Sequence, residues 1–175
     1  MMNNPLEVWQ RGPIAEVPAL LQPVAHALLQ AREELKELFI NFDDAWLWKR
    51  PANVASPAFH LQHLAGVLDR VFTYAKGLPL SDEQFQQLYD EDIAPQAGVT
   101  TMLLLERFYK QVDLAIAQLK QTDIDTLTEA RGVGRQQLPS TVIGLLVHGA
   151  EHTMRHLGQL RVTVKIIEHQ KNNIN

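Results

Sequence analysis

The segment His148-Gly149-Ala150-Glu151-His152-Thr153-Met154-Arg155-His156-Leu157-Gly158-Gln159 constrains this chain more than any other. It sets three histidines at intervals of four inside a long amphipathic stretch near the C-terminus. Residues four apart stand one above the other on a helix face. Two imidazoles so placed can reach a single metal ion, as the pair in an H-E-x-x-H helix does. Three of the chain's seven histidines fall here, so the question for the rest of the sequence is what faces this stripe.

A chain of 175 residues suits one domain. With 46% hydrophobic residues it can build a substantial core. The net charge is −4 and no basic run stands out, which argues against a nucleic-acid partner. There is no cysteine, so disulfides, a thiolate nucleophile and cysteine-ligated metals are excluded. Metal chemistry must then use histidine and carboxylate. The lack of cysteine fits a cytoplasmic location. Met1 to Gln10 lacks the apolar core of a signal peptide. No run of about 20 apolar residues predicts a membrane span.

Residues 1–13 read as a loose arm ending in Arg11-Gly12-Pro13, with Trp9 free to tuck against the body. From Val17 apolar residues recur at three and four: Leu20, Leu21, Val24, Leu28, Ala31, Leu35, Leu38. Pro23 does not suit a helix interior, so the main helix should begin near it, after a short turn. Ser56-Pro57 reads as an N-cap with proline at the first helical position. The helix that follows, from Ala58 to about Lys76, carries His60 and His63 and closes at Gly77. Ser81 with Gln84 is a capping box for a short helix to about Tyr89. The acidic Asp90-Glu91-Asp92 and residues 95–98 then read as loop, within a long crossover. Thr100 or Thr101 caps the next helix, with Leu104, Phe108, Val112, Ala115 and Leu119 on its apolar face. Arg131-Gly132-Val133-Gly134-Arg135 matches no phosphate loop and reads as a turn. Pro139-Ser140-Thr141 opens the last helix, expected to run to about Ile167, with 168–175 as a frayed tail. No strand is expected. The sum is an all-α, single-domain chain over 1–175: a four-helix bundle with long crossover connections and one short extra helix.

Advancing each residue by about 100° sorts the histidines. On the last helix His156 lies near the apolar centre, His152 about 40° away and His148 about 80° away, at the edge. Glu151, Arg155 and His169 point to water. On the second helix, with Leu61, Leu64, Leu68, Val71 and Ala75 as the centre, His60 lies about 50° off and His63 about 110° off. The wheel thus favours His60 as the inward residue. A lone histidine on an apolar face is usually a hydrogen-bonded core residue. Two at i, i+4 facing two more at i, i+3 change the balance, because each imidazole buried without a partner costs roughly 1–3 kcal/mol. Spacing alone leaves a metal site and a polar core cluster both open.

Phe59-His60-Leu61-Gln62-His63-Leu64-Ala65-Gly66, with Glu151-His152-Thr153-Met154-Arg155-His156-Leu157-Gly158-Gln159-Leu160, resembles the DinB superfamily of four-helix metalloenzymes. The likeness covers about Val17 to Ile167, and H-x-x-x-H-x-G-Q is its most specific part. It implies a divalent metal held by one second-helix histidine, in a His-Leu-Ala context, and by the H-x-x-x-H pair: His63, His152 and His156. This conflicts with the wheel; the motif is preferred, and His60 and His148 become outer-layer or substitute ligands. His26 has no counterpart in the motif and reads as a packing or hydrogen-bonding residue. Three protein ligands and an open position are the arrangement of a catalytic metal site. The resemblance therefore implies a metal-dependent hydrolase or a thiol-dependent transferase acting on a small molecule. A metal-activated water or a substrate thiolate would be the nucleophile. Zinc or nickel is the expected metal, although imidazole suits several. A low-molecular-weight thiol is the expected partner, a homodimer the expected assembly, and neither nucleic acid nor membrane is expected to bind. The alternative is a non-catalytic, metal-stabilised or ligand-binding bundle. No general base stands out, since Glu151 adjoins a ligand but faces outward.

Overall fold

The computed structural model describes residues 6–91, 93 and 97–172. Among them are five α-helices: α1 (Gln22–Leu38), α2 (Pro57–Ala75), α3 (Asp82–Asp90), α4 (Thr101–Gln121) and α5 (Val142–Asn172). They start where the sequence places start signals. A turn of 3₁₀ helix, Ala19–Leu21, precedes α1, and Pro23 sits in its first turn where no amide is needed. The Ser56 hydroxyl accepts the Phe59 amide at 3.2 Å to open α2. Gly77, at φ +74°, lets the chain leave α2, and its amide donates back to the Tyr74 carbonyl at 2.8 Å. Ser81 and Gln84 form the expected reciprocal box on α3. Thr100 rather than Thr101 caps α4, accepting the Leu103 amide at 3.2 Å.

Helix α2 packs against both α5 and α4, α1 packs against the same two, and α3 lies on α2. Leu28, Leu35, Leu61, Leu64, Leu68, Phe72, Leu104, Phe108, Leu146 and Leu160 meet in the middle, each almost wholly removed from water. Each such side chain contributes about 1.5–3 kcal/mol by burial. Gly149 brings α5 close to α2, for a Cβ there would stand 3.1 Å from the Phe72 ring. No helix is long and apolar enough to cross a membrane among the described residues.

Three expectations are corrected. The fold is mostly helical, consistent with the all-α class, but where no strand was expected Ala130–Val133 (β1) and Leu138–Thr141 (β2) form an antiparallel hairpin. Its strands are four residues long, pair Gly132 with Pro139, and are half exposed, so they carry no alternating pattern. The Arg131 guanidinium anchors it by donating to the Ala75 carbonyl at the end of α2, 3.0 Å away. Consequently α5 begins at Val142, and Leu138 lies exposed on a strand instead of on the helix's apolar face. Helix α5 also runs five residues past Ile167, to Asn172; residues 173–175 lie outside the described residues.

The N-terminal arm is docked over its described part. Val8–Arg11 is a 3₁₀ turn with Val8 buried, its amide donating to Gln30 at 2.9 Å, and Arg11 makes two 2.7 Å bonds to Glu33 on α1. Val8 is the anchor, while Trp9 is 61% exposed. Residues 1–5 lie outside the described residues, as do 92 and 94–96 of the acidic connector.

Candidate metal centre

Helices α2 and α5 lie side by side, and their histidines meet across the seam. His63 and His152 approach through their Nε2 atoms at 2.9 Å, and His60 and His156 through their Nδ1 atoms at 3.2 Å. The His156 ring lies 4.4 Å from that of His63 and 4.6 Å from that of His152, centre to centre. One nitrogen from each of His63, His152 and His156 falls within 4.8 Å of the others, a group able to hold a metal ion. His60 is the buried one, 3% exposed, and stands behind His156. The two readings thus fall on residues in different places. His60 points inward, and His63, at the edge of the apolar stripe, is the one at the seam.

A residue that sequence reasoning left in a loop completes the arrangement. Glu91, just past α3, is 5% exposed. Its Oε2 accepts from His63 Nδ1 at 2.7 Å, and its Oε1 accepts from Arg70 Nη1 at 2.6 Å. Gln62 holds its backbone carbonyl at 3.2 Å. Space for the pair comes from Gly66, since a Cβ there would collide with the Glu91 carboxylate and the Arg70 guanidinium. Phe59 stacks on the other side of the His63 ring, with planes 9° apart. The carboxylate fixes the tautomer. With the proton of His63 on Nδ1, the lone pair is on Nε2, aimed at His152. Likewise, with Nδ1 of His156 engaged by His60, its Nε2 remains as a donor to a cation.

The electrostatics disfavour the charged forms of His60, His152 and His156. Burial, followed by the neighbouring His63 charge, pushes His60 down to about 4. Burial again, then His63, His152, His60 and Arg155, pushes His156 down to about 4. His152 is lowered chiefly by burial, then by His63, His148 and Arg155, with Glu151 opposing. For Glu91, burial raises the carboxyl, but the bonds from His63 and Arg70 outweigh it and leave it below the ordinary glutamate value. Two imidazoles, His152 and His156, whose protonation burial disfavours, and a buried carboxylate behind the third fit a divalent metal. One buried nitrogen, His152 Nδ1, has no hydrogen-bond partner.

Two predicted residues lie elsewhere. His148 sits at the exposed rim, 5.1 Å from the His152 ring, and faces Glu151 at 3.9 Å. His26 bonds the Gly12 carbonyl at 3.1 Å and so ties the N-terminal arm down. Glu151 is exposed, as read, and pairs with Arg155. Behind Glu91, between α2, α3 and α4, runs a groove of about 520 Å³ lined by Gln62, Gly66, Glu91, Arg107 and Lys110 but by none of the histidines.

The sequence profile of the DinB superfamily matches residues 27–160, which include both histidine-bearing segments. The chain belongs to the DinB superfamily. Solved structures share the fold. A conserved protein from Enterococcus faecalis superposes with a TM-score of 0.67 at 18% identity, over 85% of this chain and 97% of that one. A Streptococcus pneumoniae protein gives 0.60 at 16% identity, covering 83% and 88%. An uncharacterized protein from Clostridium difficile gives 0.60 at 14%, covering 83% and 94%. No curated protein matches the chain. At these identities the likeness to solved structures shows the DinB fold and nothing of the chemistry.

Proposed function

We propose that this DinB chain is a metal-dependent enzyme in which His63, His152 and His156 hold one divalent ion, zinc or nickel. The observation that carries the reading is the convergence of three imidazole nitrogens, one of them fixed by a buried carboxylate. When bound, such a metal supplies Lewis acidity toward a water or a substrate thiol. Everything else is done by the chain. Glu91 and Arg70 hold His63 in the tautomer that offers Nε2, His60 engages Nδ1 of His156, and Phe59 keeps the His63 plane in place. The four long helices α1, α2, α4 and α5 serve as the bundle, and the crossover between α2 and α4 delivers Glu91. The three histidines are only partly buried, so a small molecule can reach them, which favours a hydrolase or a thiol-dependent transferase over a sealed structural site.

A second reading, a ligand-binding bundle stabilised by metal, is favoured by the groove that none of the histidines lines. Element analysis of tag-free protein is the first test, with about one equivalent of zinc or nickel expected, lost in the double variant His152→Ala, His156→Ala. Finding no metal in the native protein would overturn both readings. Incubation of metal-loaded protein with low-molecular-weight thiols and candidate esters or electrophiles separates them: turnover supports the enzyme, whereas bound metal without turnover supports the binding module.

A further inference from the structure

Helix α5 carries a second set of donors outside the inner group. His148, Glu151 and His152 occupy i, i+3 and i+4, and one donor atom from each lies within 4.8 Å of the others. This spacing stacks side chains on one helical face. His148 and Glu151 are about half exposed, with side-chain exposures of 49% and 47%. His152 is shared with the inner group, and its Nδ1 is buried without a hydrogen-bond partner while its Nε2 meets His63. Exposure therefore falls from the rim at His148, through partly buried His152 and His156 on α5, to His60 across the seam on α2 at 3%. The carboxylate of the outer set is not idle. Arg155 donates to Glu151 Oε1 from one turn on, a surface ion pair, while Oε2 faces His148 Nδ1 at 3.9 Å. Such exposed pairs are weak, so this one leaves the carboxylate able to turn to a cation.

We propose that His148, Glu151 and His152 form an outer cation station at the mouth of the centre, from which a divalent ion passes inward to His63, His152 and His156. The proposal rests on the inner reading above. The ion enters hydrated and trades water for His148 and the Glu151 carboxylate. It keeps the His152 ring as the common partner, then exchanges the two rim ligands for His63 and His156. Its charge does not change and no redox step occurs. Arg155 recovers Glu151 once the ion has moved on.

The test is the rate of cobalt(II) uptake by the metal-free protein, followed by the visible absorbance of the bound ion in stopped flow. His148→Ala and Glu151→Gln should each slow uptake by at least about fivefold while leaving the final stoichiometry unchanged, in the range over which local charge and capture alter association rates. Arg155→Gln, which frees Glu151, should load no more slowly than native protein. Glu168→Gln, an exposed charge removal further along α5, should match the native rate and so separates the station from general electrostatic attraction. Native-rate uptake by His148→Ala overturns the station alone. Loss of the bound equivalent in His148→Ala also overturns it, because His148 would then be a resident ligand. No uptake by native protein sinks the inner reading, and the station with it.

Discussion

At the scale of the residue, the decisive group is Glu91, and it was not legible. Its neighbours Asp90 and Asp92 make it look like part of a solvated acidic loop. Its partners, Arg70 and His63, come from α2, with α3 in between, and no local pattern announces that a carboxylate will turn inward to meet them. The histidines were legible because their spacing is itself the signal. Glu91→Gln keeps the volume and loses the charge. It should lower metal affinity by about tenfold or more, as outer carboxylates behind ligating histidines do, measured by competition with a chelator. The pH dependence follows from His60 and His156, both held near 4 in the fold against an ordinary 6.5. Between those values the unfolded chain binds more protons than the folded one. Stability of the metal-free protein should therefore be full above pH 6.5, fall as pH drops from 6.5 toward 4, and level off below, apart from losses due to carboxylates. Urea denaturation at pH 8, 6 and 4.5 reads this directly. In the folded protein protons begin to compete with the metal for His156 only as pH nears about 4, so metal affinity should fall at the low end of this window.

At the scale of the element, the helices were readable from caps and period, and the hairpin was not. Ser56-Pro57, Ser81 with Gln84, and Gly77 act locally, through hydrogen bonds to the nearest amides or a permitted positive φ, so their meaning survives out of context. The strands β1 and β2 are held by each other and by Arg131 reaching the end of α2, which is tertiary information. The wheel could not bring out His63 for a related reason. A helix flanked on two sides, by α5 and α3, has seams as well as an apolar centre. Gly66 lies on such a seam. Gly66→Ala should raise intrinsic helix propensity by about 1 kcal/mol, yet it should lower metal affinity, because its methyl group occupies the place of the Glu91 carboxylate. Thermal melting with a chelator titration on the same variant gives both quantities. A variant that gains stability and keeps native affinity would show that Glu91 is not needed for metal holding.

At the scale of the whole molecule, the centre joins segments that α3, α4 and the hairpin separate along the chain. Helices α2 and α5 are brought side by side only in the fold, so an ion bridging them binds the folded state and not the unfolded one. Loading with metal at a hundredfold excess over its dissociation constant should add about 2.7 kcal/mol. Stripping it with a chelator should lower the melting temperature, and His152→Ala with His156→Ala should abolish the difference. The DinB match and the shared fold place the two histidine-bearing helices in a common frame. The frame alone does not carry the centre's outer layer.

The gap at Gly66 has a consequence for how such a centre is inherited or transplanted. Part of the surface of α2 is supplied by a residue from beyond α3, since the carboxylate of Glu91 fills the space that a side chain at Gly66 would take. A graft of α2 and α5 onto another scaffold would carry every nitrogen of the group. It would arrive without the carboxylate that decides which nitrogen of His63 looks inward.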